Sequence, residues 1–182
     1  MNDNSPVFLT LDIGTNSIKA ALITTEGQLV ANAREPLTVQ LPKPGWAEQS
    51  PADWWQALCE CTRALAEQAQ SRSIINLTIS AQTAGSVAVD KRGKVLAPAI
   101  IWLDTRSHKQ AGNLMSGIPR INGYGLLPAL QWLFITNGAP SLAGKDPLSK
   151  ILWFRQHRAE LWKQTHKLLD VKDYLLLFCG IY

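Results

Sequence analysis

A carboxylate, a glycine and several small hydroxylated residues stand together near the start of the chain, in the segment Leu-Thr-Leu-Asp-Ile-Gly-Thr-Asn-Ser-Ile-Lys of residues 9–19. Gly14 and Thr15 allow backbone N–H groups to approach phosphate oxygens closely. The hydroxyls of Thr15 and Ser17 can donate hydrogen bonds to the same oxygens, and Lys19 can neutralise their charge. These residue types in this order are suited to binding a phosphate group.

Asp12 in the same segment needs a different partner, because a carboxylate repels a bare phosphate. Hydrated magnesium prefers oxygen ligands, keeps several of its waters and bridges nucleotide phosphates, so its natural protein ligand here is Asp12. A plain hairpin turn would also use Gly, Thr, Asn and Ser, with Asp at a strand end. The segment alone therefore leaves both interpretations open.

The residues around this segment predict a sheet that would hold it. Apolar, β-rich runs at residues 7–13, 18–24 and 29–39 are separated by short polar or glycine-containing turns. Three such consecutive runs predict an antiparallel meander. The phosphate-binding segment would then be the turn between the first two strands.

An amphipathic helix is predicted after the meander. Ser50 is a helix-capping residue followed by Pro51, and apolar side chains then recur at helical spacing to about residue 70. A crossover helix of this kind allows the next apolar run, residues 74–79, to pair in parallel beside the first strand. The first part of the chain therefore predicts a mixed sheet covered by a helix.

The later part of the chain is predicted to be mainly helical. After extended runs at residues 86–89 and 95–102, helical patterns occupy residues 106–115, 127–137, 147–158 and 171–179. We therefore expect residues 1–104 to form the core sheet with its first helix. Residues 105–182 would be an α-rich elaboration.

The overall composition is that of an ordinary globular protein. The hydrophobic fraction is 46%, the charged fraction is 18%, and the formal charge of +4 is spread along the chain. Late basic residues such as Lys150 are interleaved with acids such as Asp170, which favours solvated helix faces. No basic stretch suits a nucleic acid, and no segment suits a membrane or a secretory signal. Three cysteines without metal-ligand spacing indicate reduced thiols, so we expect a cytoplasmic protein.

Four ordered segments of the chain together resemble the FGGY carbohydrate kinases, and xylulokinase-like members look closest. They are Asp-Ile-Gly-Thr at residues 12–15, Gly-Trp-Ala-Glu-Gln-Ser-Pro-Ala-Asp-Trp-Trp at 45–55, Ser-Ala-Gln at 80–82 and Ile-Trp-Leu-Asp-Thr-Arg at 101–106. Family-like segments continue through residues 150–162 and 173–180, so the resemblance runs from residue 7 to the end of the chain.

This resemblance implies an α/β fold of the actin-like ATPase (RNase H-like) type, with ATP and substrate between two domains. It implies a transferase of carbohydrate metabolism that uses ATP and Mg²⁺ to phosphorylate a hydroxyl of a sugar or polyol. Family chains are considerably longer, so residues 1–182 would be an incomplete N-terminal domain. The catalytic aspartate is expected beyond Tyr182, and the isolated chain is expected to be inactive. The alternatives are a non-catalytic actin-like or chaperone-type nucleotide-binding module and a degenerate kinase fragment.

The resemblance also implies which residues bind ligands. The phosphate loop, residues 12–19, would bind nucleotide through Asp12, Gly14, Thr15, Asn16, Ser17 and Lys19, with Asp12 as the metal ligand. The sugar loop, residues 82–85, would bind substrate through Gln82, Thr83, Ala84 and Gly85.

Two further expectations concern the substrate side. Xylulokinase-like members carry Gln-Met-His-Gly in the sugar loop, whereas this chain has Gln-Thr-Ala-Gly and lacks the imidazole. We therefore expect D-xylulose to be a poor substrate, because a lost hydrogen-bonding group changes specificity strongly. Asp104 is expected near substrate hydroxyls, although an Asp-Thr-Arg sequence at a helix start is equally suited to a cap with an ion pair.

A homodimer is a further expectation, and it concerns the oligomeric state.

Overall fold

The computed structural model describes residues 5–69, 72–138 and 141–179. The strands of these ranges are β1 (Val7–Ile13), β2 (Ser17–Thr24), β3 (Leu29–Pro36), β4 (Glu48–Gln49), β5 (Ile74–Ala81), β6 (Val87–Val89), β7 (Ala99–Ile100), β8 (Arg120–Ile121), β9 (Tyr124–Gly125) and β10 (Lys167–Leu169). The helices are α1 (Pro51–Ala69), α2 (His108–Leu114), α3 (Leu126–Thr136), α4 (Pro147–His157), α5 (Ala159–Gln164) and α6 (Val171–Phe178).

The chain divides into two compact units. Unit 1 comprises Met1–Val39, Ser50–Gln82 and Val171–Tyr182, and unit 2 comprises Gln40–Gln49 and Thr83–Asp170. This division differs from the expected segments 1–104 and 105–182. The last helix, α6, packs with the sheet of unit 1, whereas residues 83–104 pair with strands of unit 2.

Unit 1 is built on a four-stranded sheet with the order β3-β2-β1-β5. Strands β1, β2 and β3 form an antiparallel meander, and β5 pairs with β1 in parallel. Both features confirm the sequence predictions. The third strand ends at Pro36 rather than at residue 39, because Pro36 has no N–H with which to continue the ladder.

One face of this sheet is covered by α1. Alternate residues of β2, namely Ile18, Ala20 and Leu22, are buried, as period-two alternation requires. The Asp53 N–H donates to the Ser50 hydroxyl at 3.3 Å, which confirms the predicted start of the helix.

The apolar stripe of α1 recurs at helical spacing and lies in the core of unit 1. Trp54 is fully buried, with its ring 6.3 Å from that of Tyr174 in α6. Truncation of such a tryptophan to alanine costs about 3–5 kcal/mol. Cys61 on the same stripe is also fully buried, and its thiol donates to the Ile18 carbonyl at 3.8 Å.

Unit 2 contains short strand pairs and most of the helices. Strand β4 pairs with β7, β6 with β10, and β8 with β9, all antiparallel. Its core combines Ala88, Ile100, Trp153 and Phe154 with partly buried neighbours that include Trp46. The four helices predicted after residue 105 are present within two residues at each end, while α5 and the strands β8, β9 and β10 were not predicted.

Two observations on the helices complete the description of the fold. Helix α3 buries none of its residues, and Phe134 and Ile135 are among its most exposed apolar side chains. Within the ranges described, no helix combines the length and the apolar character needed to cross a membrane.

Candidate functional site

The phosphate loop is the tight connection between β1 and β2 in unit 1. The Gly14 N–H donates to the Ser17 carbonyl at 3.0 Å and closes the turn. A Cβ atom on residue 14 would meet that carbonyl oxygen at 3.0 Å, so glycine allows the backbone to turn this closely. The turn therefore leaves its backbone accessible to a ligand at Gly14 and Thr15, which are both partly exposed.

Asp12 and Lys19 face each other across the β1–β2 ladder. They are register partners, and the Lys19 Nζ atom lies 3.1 Å from Asp12 Oδ2. Their side chains are 51% and 57% exposed respectively, so the pair is open to solvent. Ser80 of β5 is the next partner of Asp12, and Arg34 of β3 is the next partner of Lys19. The four side chains form one polar row across the sheet.

An open groove of about 510 Å³ runs over this row on the sheet face. The groove is lined by Asp12, Lys19, Arg34 and Ser80 together with smaller side chains. Two cations beside one carboxylate make it suited to an anionic ligand that carries a metal ion.

The other predicted residues of the phosphate loop lie in the same turn. Asn16 is exposed, and its carbonyl accepts from the Leu37 N–H at 2.9 Å. Ser17 is 3% exposed. Its hydroxyl could therefore donate to a ligand only if the residues that cover Ser17 moved away.

The carboxylate chemistry of the phosphate loop fits magnesium. No cluster of three His, Cys, Asp or Glu side chains suited to a metal occurs in the described ranges. Magnesium usually keeps several waters and uses one or two carboxylates plus substrate phosphates. A single exposed carboxylate at Asp12, beside the turn at residues 14–16, is compatible with that requirement.

Gln82 joins the phosphate loop to the beginning of the sugar loop within unit 1. Its N–H donates to the Ile13 carbonyl at 2.8 Å and extends the β1–β5 pairing by one residue. Its side-chain Oε1 accepts from the Thr15 hydroxyl at 3.1 Å. Gln82, the residue after β5, thus contacts the phosphate loop directly.

The rest of the sugar loop lies in unit 2 and has an unusual backbone. Ala84 has a φ angle of +58°, in the left-handed region that L-residues other than glycine rarely adopt. The carbonyl of Ala84 accepts a hydrogen bond from Lys150 Nζ, and the N–H of Gly85 donates to Asp170 Oδ1 at 2.8 Å. Both groups of the peptide bond between Ala84 and Gly85 are therefore held by charged side chains.

Lys150 is a fully buried lysine on α4. Its ammonium group also donates to the Ile101 carbonyl at 2.9 Å. Burial lowers the pKa of Lys150 to about 8, and the carboxylates of Asp104, Asp170 and Asp146 partly oppose that shift. The expectation that Lys150 lies on a solvated helix face is wrong, because its amine is needed to satisfy two carbonyl groups in the interior.

Asp104 is fully buried in an ion-pair network of unit 2. Its Oδ2 accepts from the Ala47 N–H at 2.6 Å and from the Arg106 guanidinium at 2.7 Å, and its Oδ1 accepts from the Arg106 N–H at 2.9 Å. Arg106 also pairs with Glu48 at 2.7 Å, and its guanidinium lies 3.7 Å from the centre of the Trp46 ring. The ion-pair interpretation thus describes Asp104, and direct contact with a substrate would require these oxygens to be released.

Sequence reasoning missed Lys150, Asp170 and the stacking of Arg106 on Trp46. The signal that could have revealed the burial of Lys150 is the apolar run Ile-Leu-Trp-Phe directly after it, because such a run predicts a buried helix face. Asp170 gave no local signal, since its partner is 85 residues away in the sequence.

Comparisons with known proteins match nearly the whole chain. The model for the FGGY family of carbohydrate kinases, N-terminal domain, matches residues 7–179. The xylulose kinase of Escherichia coli (strain K12) is 33% identical over 174 residues, covering 94% of this chain and 33% of that protein. The gluconokinase of Bacillus subtilis (strain 168) is 29% identical over 168 residues, covering 92% of this chain and 31% of that protein. The crystal structure of xylulose kinase from Rhodospirillum rubrum is similar with a TM-score of 0.80 at 25% identity, covering 92% of this chain and 33% of that one.

These similarities, together with the mixed sheet and its helices, define an α/β domain of the actin-like ATPase fold. The chain belongs to the FGGY family of carbohydrate kinases and corresponds to the family's N-terminal domain. It spans about a third of the length of the curated relatives that it matches. The family resemblance predicted from four ordered segments is therefore confirmed.

Proposed function

We propose that this domain is part of a kinase that transfers the γ-phosphoryl group of ATP to a hydroxyl of a sugar or polyol. The observation that carries the proposal is the hydrogen bond between Thr15 and Gln82, because it couples the phosphate-binding turn to the first residue of the sugar loop. A phosphoryl donor and its acceptor must be placed next to each other, and catalysis of this reaction is mostly positioning and charge neutralisation.

The phosphate loop has a distinct task for each residue. The exposed backbone of the Gly14–Thr15 turn lets phosphate oxygens approach closely, and Lys19 neutralises part of their charge. The Gly14 N–H closes the turn on the Ser17 carbonyl, and the Thr15 hydroxyl donates to Gln82. Asp12 holds hydrated Mg²⁺ through its exposed carboxylate. When bound, ATP and Mg²⁺ supply the phosphoryl group and the neutralisation of its developing charge. The general base is assigned to no residue of this chain, and inactivity of the isolated chain stays a prediction.

The sugar loop determines which substrate is accepted. The curated relatives include enzymes named xylulose kinase and gluconokinase, so a sugar or sugar acid is a reasonable first panel. Thr83 and Ala84 stand where xylulokinase-like members carry Met and His, and a missing hydrogen-bonding group lowers discrimination by orders of magnitude. We propose that D-xylulose is phosphorylated less well than another ketose or polyol.

The test is a coupled assay of sugar-dependent ATP consumption by the full-length gene product across a panel of ketoses, polyols and sugar acids. We expect at least one panel member to exceed D-xylulose in kcat/KM. The variant Ala84→His restores an imidazole, and histidine tolerates a positive φ better than most residues. It should raise kcat/KM for D-xylulose, while Lys163→Met at an exposed site should leave it unchanged.

Two outcomes would contradict the proposal. ATP binding without turnover on any panel member would favour a non-catalytic nucleotide-binding module. D-xylulose as the best substrate would refute the weight given to Ala84. A homodimer also stays a prediction, and sedimentation velocity of the full-length gene product would test it.

A further inference from the structure

We propose that Lys150 and Asp170 are positioning residues that clamp the peptide between Ala84 and Gly85 in one orientation and thereby fix the sugar loop. This inference rests on the function proposed above for residues 82–85. Neither side chain was assigned a role from the sequence. The proposal concerns how the loop is held, so it adds two residues to those that the loop itself supplies.

The geometry of the clamp is two-sided. The Lys150 ammonium donates to the Ala84 carbonyl, which is the negative end of the peptide dipole. The Asp170 carboxylate accepts from the Gly85 N–H at 2.8 Å, which is the positive end of the same dipole. Rotating the peptide by half a turn would place the carbonyl towards Asp170 and the N–H towards Lys150. That orientation is repulsive at both ends, so the two charges select the observed one.

The backbone of the loop explains why a clamp is needed. Ala84 adopts a φ of +58°, and a non-glycine residue persists in this region only where its surroundings enforce it. Charge-assisted hydrogen bonds are roughly twice as strong as neutral ones. The two bonds to the Ala84–Gly85 peptide can therefore hold a conformation that the residue itself disfavours.

The clamp is anchored on elements that are themselves well fixed. Lys150 lies in α4, is fully buried and donates to the Ile101 carbonyl as well. Asp170 directly follows β10, which pairs with β6. The other charged groups that act on the Lys150 ammonium are the carboxylates of Asp104 and Asp146 and the guanidinium of Arg106. A site held by packed elements is more precise than one held by a loop alone.

The kinetic test compares Lys150→Met, Asp170→Ala and their double variant in the full-length gene product. Misplacement of a substrate group by about 1 Å can cost on the order of a hundredfold. We expect kcat/KM for the best sugar to fall about 10- to 100-fold in each single variant, while KM for ATP changes less than about twofold. The peptide is released once either hydrogen bond is lost. The fall in kcat/KM of the double variant should therefore be no larger than that of the more impaired single variant.

Two further variants separate positioning from general damage. Asp170→Asn keeps an oxygen that can accept from the Gly85 N–H, so it should retain more kcat/KM than Asp170→Ala. Lys163→Met removes the same charge from an exposed site in unit 2 and should behave like the wild type. Equal losses for sugar and ATP, or additive losses in the double variant, would overturn the clamp.

A measurement independent of activity distinguishes this inference from the proposed function. Hydrogen exchange followed by mass spectrometry reports the protection of the Gly85 N–H in a peptide covering residues 83–86. We expect exchange to accelerate about tenfold or more in Lys150→Met and not in Lys163→Met. Unchanged exchange would overturn the clamp even in an active enzyme. If the wild type turns over no sugar, the proposed function fails, and the exchange result still decides whether the clamp exists.

Discussion

The phosphate loop and the sugar loop are held in different ways. The phosphate loop is a local hairpin whose two charged residues, Asp12 and Lys19, face each other in an exposed ion pair. The sugar loop has a disfavoured backbone and is held by Lys150 and Asp170, which lie 66 and 85 residues further along the chain. The difference shows that the conformation of the phosphate loop depends on neighbouring residues, whereas that of the sugar loop depends on the completed tertiary fold of unit 2.

We expect the greatest loss of stability from a change in the buried ion-pair network of unit 2. Asp104→Ala would leave the buried Arg106 guanidinium without its bidentate partner and the Ala47 N–H without an acceptor. Breaking a buried ion pair from one side costs about 3–5 kcal/mol. Urea denaturation should show a fall of that size in the free energy of unfolding. Glu160→Ala, which removes an exposed ion pair in the same unit, is the control and should change it by less than about 1 kcal/mol. A similar small change for Asp104→Ala would show that the network contributes little.

The next prediction is a loss of activity without a loss of stability. Asp12→Ala should reduce kcat of the full-length gene product on the order of a thousandfold, because the loss of the proposed metal ligand would remove several kcal/mol of charge stabilisation. Binding of the sugar, measured by calorimetry, should stay the same. The free energy of unfolding should change by less than about 1 kcal/mol, because the side chain is half exposed. Retained turnover would remove Asp12 from the mechanism.

A smaller effect concerns the pH dependence of stability. The pKa of Lys150 is lowered from 10.5 to about 8 in the folded protein, so above pH 8 the unfolded chain binds more protons at this residue than the folded one. The free energy of unfolding of the wild type, relative to Lys150→Met, should therefore rise with pH above about 8, by up to about 1.4 kcal/mol per pH unit. Below that pH the difference should be flat. Urea denaturation of both proteins between pH 7 and 9.5 tests this, and a falling difference would contradict the assigned direction.

The smallest effect lies in the phosphate loop. Lys19→Ala should change the free energy of unfolding by only about 0–1 kcal/mol, because its ion pair with Asp12 is solvent-exposed. The remaining difference should shrink in 0.5 M salt, since ions screen exposed pairs. A loss above about 2 kcal/mol would mean that the exposed pair is as important to folding as the buried network.

The sequence predicted the parts of the fold that depend on local patterns. Apolar, β-rich runs separated by turns, the Ser50 cap and the apolar stripe of α1 were sufficient to predict the meander, the helix and the parallel strand β5. The strand β10 was not predicted, because three residues carry too little periodicity and its partner β6 is distant in the sequence.

For the candidate site, too, the sequence predicted the local elements but not their long-range contacts. Composition and order indicated the phosphate loop, and the family resemblance indicated the sugar loop. Neither could predict that Ala84 has a positive φ or that Lys150 is buried beneath it, because both depend on α4 and the end of β10 reaching the loop. The sequence left two roles open for Asp104 for the same reason, since Ala47, which donates to it, and Glu48, which pairs with its partner Arg106, come from a distant segment.

The distribution of thiols gives the protein a chemical reporter for one of its two units. Cys59, Cys61 and Cys179 are the only cysteines of the sequence, and all three belong to unit 1. Burial raises the pKa of the Cys61 thiol, which also donates to the Ile18 carbonyl, so alkylating reagents reach it only when α1 separates from the sheet. The labelling rate of Cys61 therefore measures the opening of unit 1 without any contribution from the thiol chemistry of unit 2.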